Sequence, residues 1–234
     1  MYMEFDIRKG FDLRVFIILL IAAIIINFSI YSIASHVINN EMNNAEKISY
    51  NKLKKTLKSG DIICSRWNYI DIGYRIFSKY SHIGMVLKLG GKLYILETDP
   101  EESFLKDDGS LDVRKEGVHL YSLKERLDEY RGTCFIISYL GDISEDTINK
   151  RVSEKFSDYL KIPFDDNFRN TFVYNYFCKL FGFNVEENDK LFCSVFMSKL
   201  LYDTGILDQR YQCAEPGSFI KYPGLYSDVK LIEL

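Results

Sequence analysis

The dipeptide Gly90-Gly91 lies between two apolar runs, His82 to Leu89 and Lys92 to Thr98, and no other feature constrains the fold of this chain as tightly. Adjacent glycines suit the positive φ angles of a tight hairpin turn, so the two runs are expected to pair as antiparallel strands. A symmetric turn sets His82 opposite Asp99 and Gly84 opposite Glu97. Because side chains alternate along a strand, His82, Glu97 and Asp99 then share one face. A three-residue turn would flip one strand and dissolve that grouping. Glu97 follows the apolar Leu93-Tyr94-Ile95-Leu96, where a carboxylate without a partner is costly to bury. A histidine on the same face offsets that cost.

Around this hairpin the sequence reads as strands first and helices later. Val118 to Tyr121 and Thr133 to Leu140 read as further strands, after a polar, acidic stretch from Asp99 to Gly117. Helical patterns cover Glu145 to Leu160, Asn170 to Phe181 and Cys193 to Asp203, the last ending near Gly205. That order is the pattern of an α+β domain.

The N-terminus is different in kind. Every residue from Val15 to Ile26 is apolar, and no charge appears between Arg14 and Glu41. The stretch is long enough to cross a bilayer as a helix, which takes about 20 mainly apolar residues. A signal peptide ending at Ser32-Ile33-Ala34 is the competing reading, but the apolar stretch outlasts the usual signal centre. The expected organisation is a tail over 1–12, a transmembrane helix or uncleaved signal anchor over 13–38, a polar stalk over 39–57 and one catalytic domain over 58–234. Basic residues flank both ends of the span, so the positive-inside rule leaves its orientation open. The expected location is a membrane, in single-pass form.

A net charge of −3 argues against a nucleic-acid partner, and no basic stripe is visible. The five cysteines are scattered without a Cys-x-x-Cys pair, which argues against a metal cluster or disulfide framework. Cys64, Cys134 and Cys178 sit in apolar runs and read as small buried hydrophobes. Cys193 is distinct because it opens a helix, where unpaired N–H groups and the positive end of the dipole favour a thiolate. A nucleophilic thiol needs a base, and the base works best when a third group sets its tautomer. Cys193, His82 and Glu97 supply those roles, with Asp99 as the substitute third member. Taken singly, His82 reads first as a hydrogen-bonded sheet-edge histidine, and Cys193 alone fits a core position. His36 and His119 lack companions at ligand spacing, so no metal and no cofactor are expected, and Lys124-Glu125-Arg126 reads as an exposed helix face.

Taken in order, Gly60-Asp61-Ile62-Ile63, Ser81-His82-Ile83-Gly84, Glu97 and Phe192-Cys193-Ser194 resemble the circularly permuted papain-like proteins. That family includes YiiX-like proteins, a poxvirus group and, more distantly, the lecithin:retinol acyltransferases; NlpC-type cell-wall amidases are unpermuted relatives. Gly117 to Leu123, Ile162-Pro163-Phe164-Asp165 with Phe168, and Pro216-Gly217-Ser218-Phe219 are similar to further family segments, so the resemblance runs from Lys58 to Tyr222. It implies an antiparallel sheet packed on helices and a Cys-His-Glu hydrolase or acyltransferase. The implied substrates are peptide or isopeptide amides, cell-wall peptides or lipid acyl esters. Phe164 replaces the family's Tyr, and Val195-Phe196 stands where a Glu is common. The apolar N-terminus adds the lipid bilayer as an expected partner and tilts the substrate toward a membrane-associated one. A catalytically inactive tethered binding module, or a structural envelope protein of the same fold, is the alternative.

Overall fold

In the computed structural model the described residues are 29, 45–67, 80–100, 102–105, 111–130, 132–165, 191–210, 225–227 and 229–234. The chain divides into two compact units, Met1–Asn43 and Asn44–Leu234. The expected membrane span over 13–38 lies outside the described residues apart from Ser29, and among those described no helix is long and apolar enough to cross a membrane. The expected helix over Asn170 to Phe181, with Cys178, and the Pro216-Gly217 turn also lie outside them.

The second unit is a mixed α+β body built on a seven-stranded sheet. Its strands are β1 (Glu46–Ser49), β2 (Ile62–Trp67), β3 (His82–Leu89), β4 (Lys92–Asp99), β7 (Gly117–Ser122), β8 (Gly132–Ile137) and β9 (Lys230–Glu233), in the spatial order β1-β9-β8-β2-β3-β4-β7. All neighbours are antiparallel except β1 and β9. A separate ribbon, β5 (Glu102–Leu105) with β6 (Leu111–Arg114), occupies the acidic stretch read from sequence as an interruption. Among the described residues there are four helices: α1 (Tyr50–Leu53), α2 (Leu123–Glu129), α3 (Glu145–Tyr159) and α4 (Cys193–Asp203).

The central hairpin forms as its turn chemistry requires. Gly90 and Gly91 have φ of 58° and 80°, and Met85 pairs with Leu96, Val86 with Ile95 and Leu89 with Lys92. This is the register of a two-residue turn, so even-numbered β3 residues and odd-numbered β4 residues share a face. Val86 and Ile95 on that face pack with Leu53, Leu57, Leu123, Leu127 and Ile136. Ile83, Met85, Leu87 and Leu96 turn to the other face and are buried, and α3 and α4 pack against β3.

The folded unit begins earlier than the sequence suggests. From Glu46 onward the stretch read as a stalk forms β1, which pairs in parallel with β9, and α1, which buries Leu53. Leu57 is buried in the same core. Ile48, Leu53 and Leu57 have the spacing of an amphipathic lead-in, but only the arrival of the last strand of the chain gives them a surface to cover.

Asp61 holds the entrance to β2. Its Oδ2 accepts the Lys58 N–H at 2.9 Å and its Oδ1 accepts the Tyr139 N–H at 2.8 Å, tying the turn to the end of β8. Burial dominates and raises its carboxyl pKa to about 6, although both N–H donors pull it down. Gly60 beside it has φ of 97°, and a Cβ there would come within 2.9 Å of Ile148 on α3. Removing the carboxylate strands two inward-facing donors, so Asp61→Ala is expected to destabilise the protein by about 2–4 kcal/mol. A urea midpoint unchanged from wild type would contradict this role.

Candidate active site

The expected face of the hairpin carries a buried polar cluster. Nε2 of His82 lies 2.9 Å from Oε2 of Glu97 and 3.5 Å from Oδ1 of Asp99, so Glu97 is the principal partner and Asp99 the secondary one. Gly84 makes this possible. A Cβ at that position would sit 3.1 Å from Oε2 of Glu97 and 2.7 Å from the Ile95 side chain, so the bare backbone opens the space the carboxylate fills.

Glu97 is fully buried and collects donors from three directions. Besides His82 it accepts the hydroxyl of Tyr130 at 2.5 Å and the Nε–H of Arg126. Arg126 also donates through Nη2 to Oδ2 of Asp99, and its guanidinium stacks between Tyr121 and Tyr130 at 4.8 and 4.9 Å from the ring centroids. The sequence reading of Arg126 as part of an exposed helix face is therefore corrected: it is 2% exposed. The overlooked signal is spacing. Leu123, Arg126, Leu127 and Tyr130 fall at i, i+3, i+4 and i+7, which is one stripe of a helix, and the two leucines mark that stripe as buried.

Cys193 joins the cluster from another part of the chain. It is the first residue of α4, following the extended Phe192, and its side chain is close enough to the His82 ring to help raise the imidazole pKa. Cys193 is 6% exposed. Cys64 and Cys134 are buried free thiols within the sheet, in keeping with their reading as small hydrophobes. Phe164 and Phe192 pack together with Val195, and Phe196 packs edge-on to Tyr159 at 5.5 Å. Phe164, Val195 and Phe196 are thus apolar packing groups here. His119 is bound to the Lys115 carbonyl at 2.7 Å and stacks on Tyr121.

The electrostatics follow from a charge imbalance. Two buried carboxylates face one guanidinium, which leaves one negative charge for the imidazole to answer. Burial works against a charged imidazole, but Glu97, the nearby Cys193 side chain and Asp99 together outweigh it and hold the His82 pKa well above its usual value. Burial likewise works against charged Glu97, and His82 and Arg126 overcome it, bringing its carboxyl down to about 2. Tyr130 is held well above its usual range by burial and by the Glu97 charge, so it remains a donor.

His82, Glu97 and Asp99 bring potential metal-ligating atoms within 4.8 Å of one another. The residues present do not fit a divalent ion, because the buried Arg126 guanidinium already bonds both carboxylates and Nε2 already faces Glu97. A cation there would have to displace the guanidinium.

No family model matches the chain, and no curated protein does. Among solved structures, the crystal structure of metalloprotein YiiX from Escherichia coli O157:H7 aligns over 65% of this chain and 68% of its own, at 20% identity and a TM-score of 0.42.

Two outcomes follow from this geometry. Arg126→Met leaves two buried carboxylates without their cation and is expected to cost about 3–5 kcal/mol, read as a lower denaturant midpoint. His82 has a folded pKa above its unfolded value of 6.5, so its contribution to stability is fully present below pH 6.5 and is lost as pH rises through the folded value. Glu97→Gln removes the principal charge behind that shift, so the His82 titration followed by NMR should move to lower pH. An unmoved titration would show that Glu97 does not set it.

Proposed function

We propose that this chain is a cysteine hydrolase or acyltransferase acting through Cys193, His82 and Glu97 on an amide or acyl ester. The observation that carries this reading is the buried His82–Glu97 contact at 2.9 Å, beside two strands against which the helix opened by Cys193 packs.

In this mechanism the thiol proton rests on the His82 imidazole, whose raised pKa favours a thiolate–imidazolium pair, and the thiolate attacks the acyl carbon. The carbonyl π bond opens to an oxyanion, with the backbone N–H groups at the start of α4 as its donors in this scheme; one such donor is worth about 3 kcal/mol in the transition state. Collapse breaks the bond to the amine or alcohol, His82 returns the proton to that leaving group, and a thioester remains. Water or another acceptor, deprotonated by His82, then displaces sulfur and restores the thiol. Glu97 orients the ring through Nε2, Tyr130 holds Glu97 in place, and Arg126 keeps Glu97 ionised.

The apolar N-terminal run favours a membrane-tethered protein and a substrate at or near the bilayer. A second reading, a non-catalytic binding module of the same fold, is favoured by the 6% exposure of Cys193, which leaves little of the sulfur open to a large substrate.

Labelling the full chain with a thiol-directed acyl probe separates the two. Wild type is expected to acylate at Cys193, located by peptide mass spectrometry, with Cys193→Ala unlabelled there and His82→Gln slower by roughly a hundredfold or more. Wild type that labels no faster than His82→Gln would sink the catalytic reading.

A further inference from the structure

The row of side chains that crosses the sheet at His82 contains a hydroxyl for which the fold supplies no partner. Ser65 of β2 is the direct cross-strand partner of His82 on one side and of Cys134 on the other. Opposed residues in an antiparallel pair point to the same face with Cβ atoms about 5 Å apart, so the Ser65 hydroxyl stands beside the imidazole. The Ser65 carbonyl is engaged. It accepts the Ser81 N–H at 2.8 Å and the Ser81 hydroxyl at 3.0 Å, which fixes the residue before His82 to β2. The Ser65 Oγ itself has no hydrogen-bond partner among the described residues, and at 1% exposure it is shut away from solvent.

A buried hydroxyl in this position costs free energy, because it gives up its hydrogen bonds to water on folding. Cys134 is a poor substitute for that water. Burial above all, and the Glu97 charge after it, pushes its thiol up to about 12, so it stays a neutral S–H that donates and accepts only weakly. Of the two residues opposite Ser65, His82 alone carries a strong hydrogen-bonding group.

The proposed reaction contains a stage at which such a group is needed. An imidazolium has two N–H donors. In the thiolate–imidazolium pair, Glu97 and the sulfur are the acceptors; once sulfur is bonded to the acyl carbon it ceases to be a strong one, while Glu97 stays in place. We infer that Ser65 is a positioning residue for His82, its hydroxyl accepting the second imidazolium N–H from the attack of sulfur until the leaving group takes the proton. The inference rests on the catalytic reading, but the meeting of hydroxyl and ring that it requires can be measured without turnover. The other titratable groups about the His82–Glu97 pair are Asp99 on β4, Arg126 on α2, Tyr130 after it and Cys193 on α4.

Cys193→Ala, made in the full chain, reproduces the stage at which sulfur no longer accepts. In that background the His82 ring, followed by NMR, is expected to titrate about one pH unit lower when Ser65→Ala is added, since an acceptor for its N–H favours the charged ring. With Cys193 present, Ser65→Ala is expected to slow labelling by the acyl probe about tenfold. Its urea midpoint should equal or exceed that of wild type, because the substitution removes a polar group the interior does not satisfy. A wild-type chain that does not label defeats the enzyme reading, and the titration in the Cys193→Ala background still decides whether the hydroxyl meets the ring. A titration that Ser65→Ala leaves unmoved, labelling of Ser65→Ala at the wild-type rate, or a urea midpoint below wild type would overturn the inference; the last would show the hydroxyl to be holding the fold.

Discussion

A carboxylate with almost no exposure to water governs the interior of this protein. Glu97 sits on a central strand inside an apolar layer, where an isolated charge is expensive, and the structure answers with an imidazole, a phenol and a guanidinium. The donors come from two segments, so the charge acts as an assembly point: β3 delivers His82, and α2 with the residue that follows it delivers Arg126 and Tyr130. The site chemistry and the packing of α2 on the sheet are consequences of the same requirement.

That requirement also explains the division of labour between the two acids. Asp99 lies within reach of the imidazole but gives its other oxygen to Arg126, while Glu97 contacts imidazole, phenol and guanidinium together. Arg126 balances the pair, which tempers how strongly the imidazole is driven toward its charged form. A base that holds its proton too firmly takes one readily from sulfur but returns it poorly to a leaving group. The guanidinium therefore bears on both halves of the proposed proton transfer without touching the reacting atoms.

The hairpin concentrates its buried polar groups at one end. Its open end gathers His82, Glu97 and Asp99 in the interior, while its turn end, at Gly90-Gly91, is exposed.

Much of the hairpin was legible in the residues because its determinants are local. Two glycines permit the turn, strand alternation sorts the side chains, and His82 and Glu97 then meet without help from elsewhere. The start of α4 at Cys193 was legible for a similar reason, an apolar helical period beginning there. What only the tertiary structure decided was everything needing a partner distant in sequence. Ile48, Leu53 and Leu57 look like a stalk until β9 pairs with β1, and Arg126 looks solvated until the buried charge of Glu97 draws it inward. Whether sulfur and imidazole meet is of the same kind, since no local rule spans the chain between them: a helix start supplies a suitable thiol, but only the packing of α4 against β3 and β4 decides what that thiol faces.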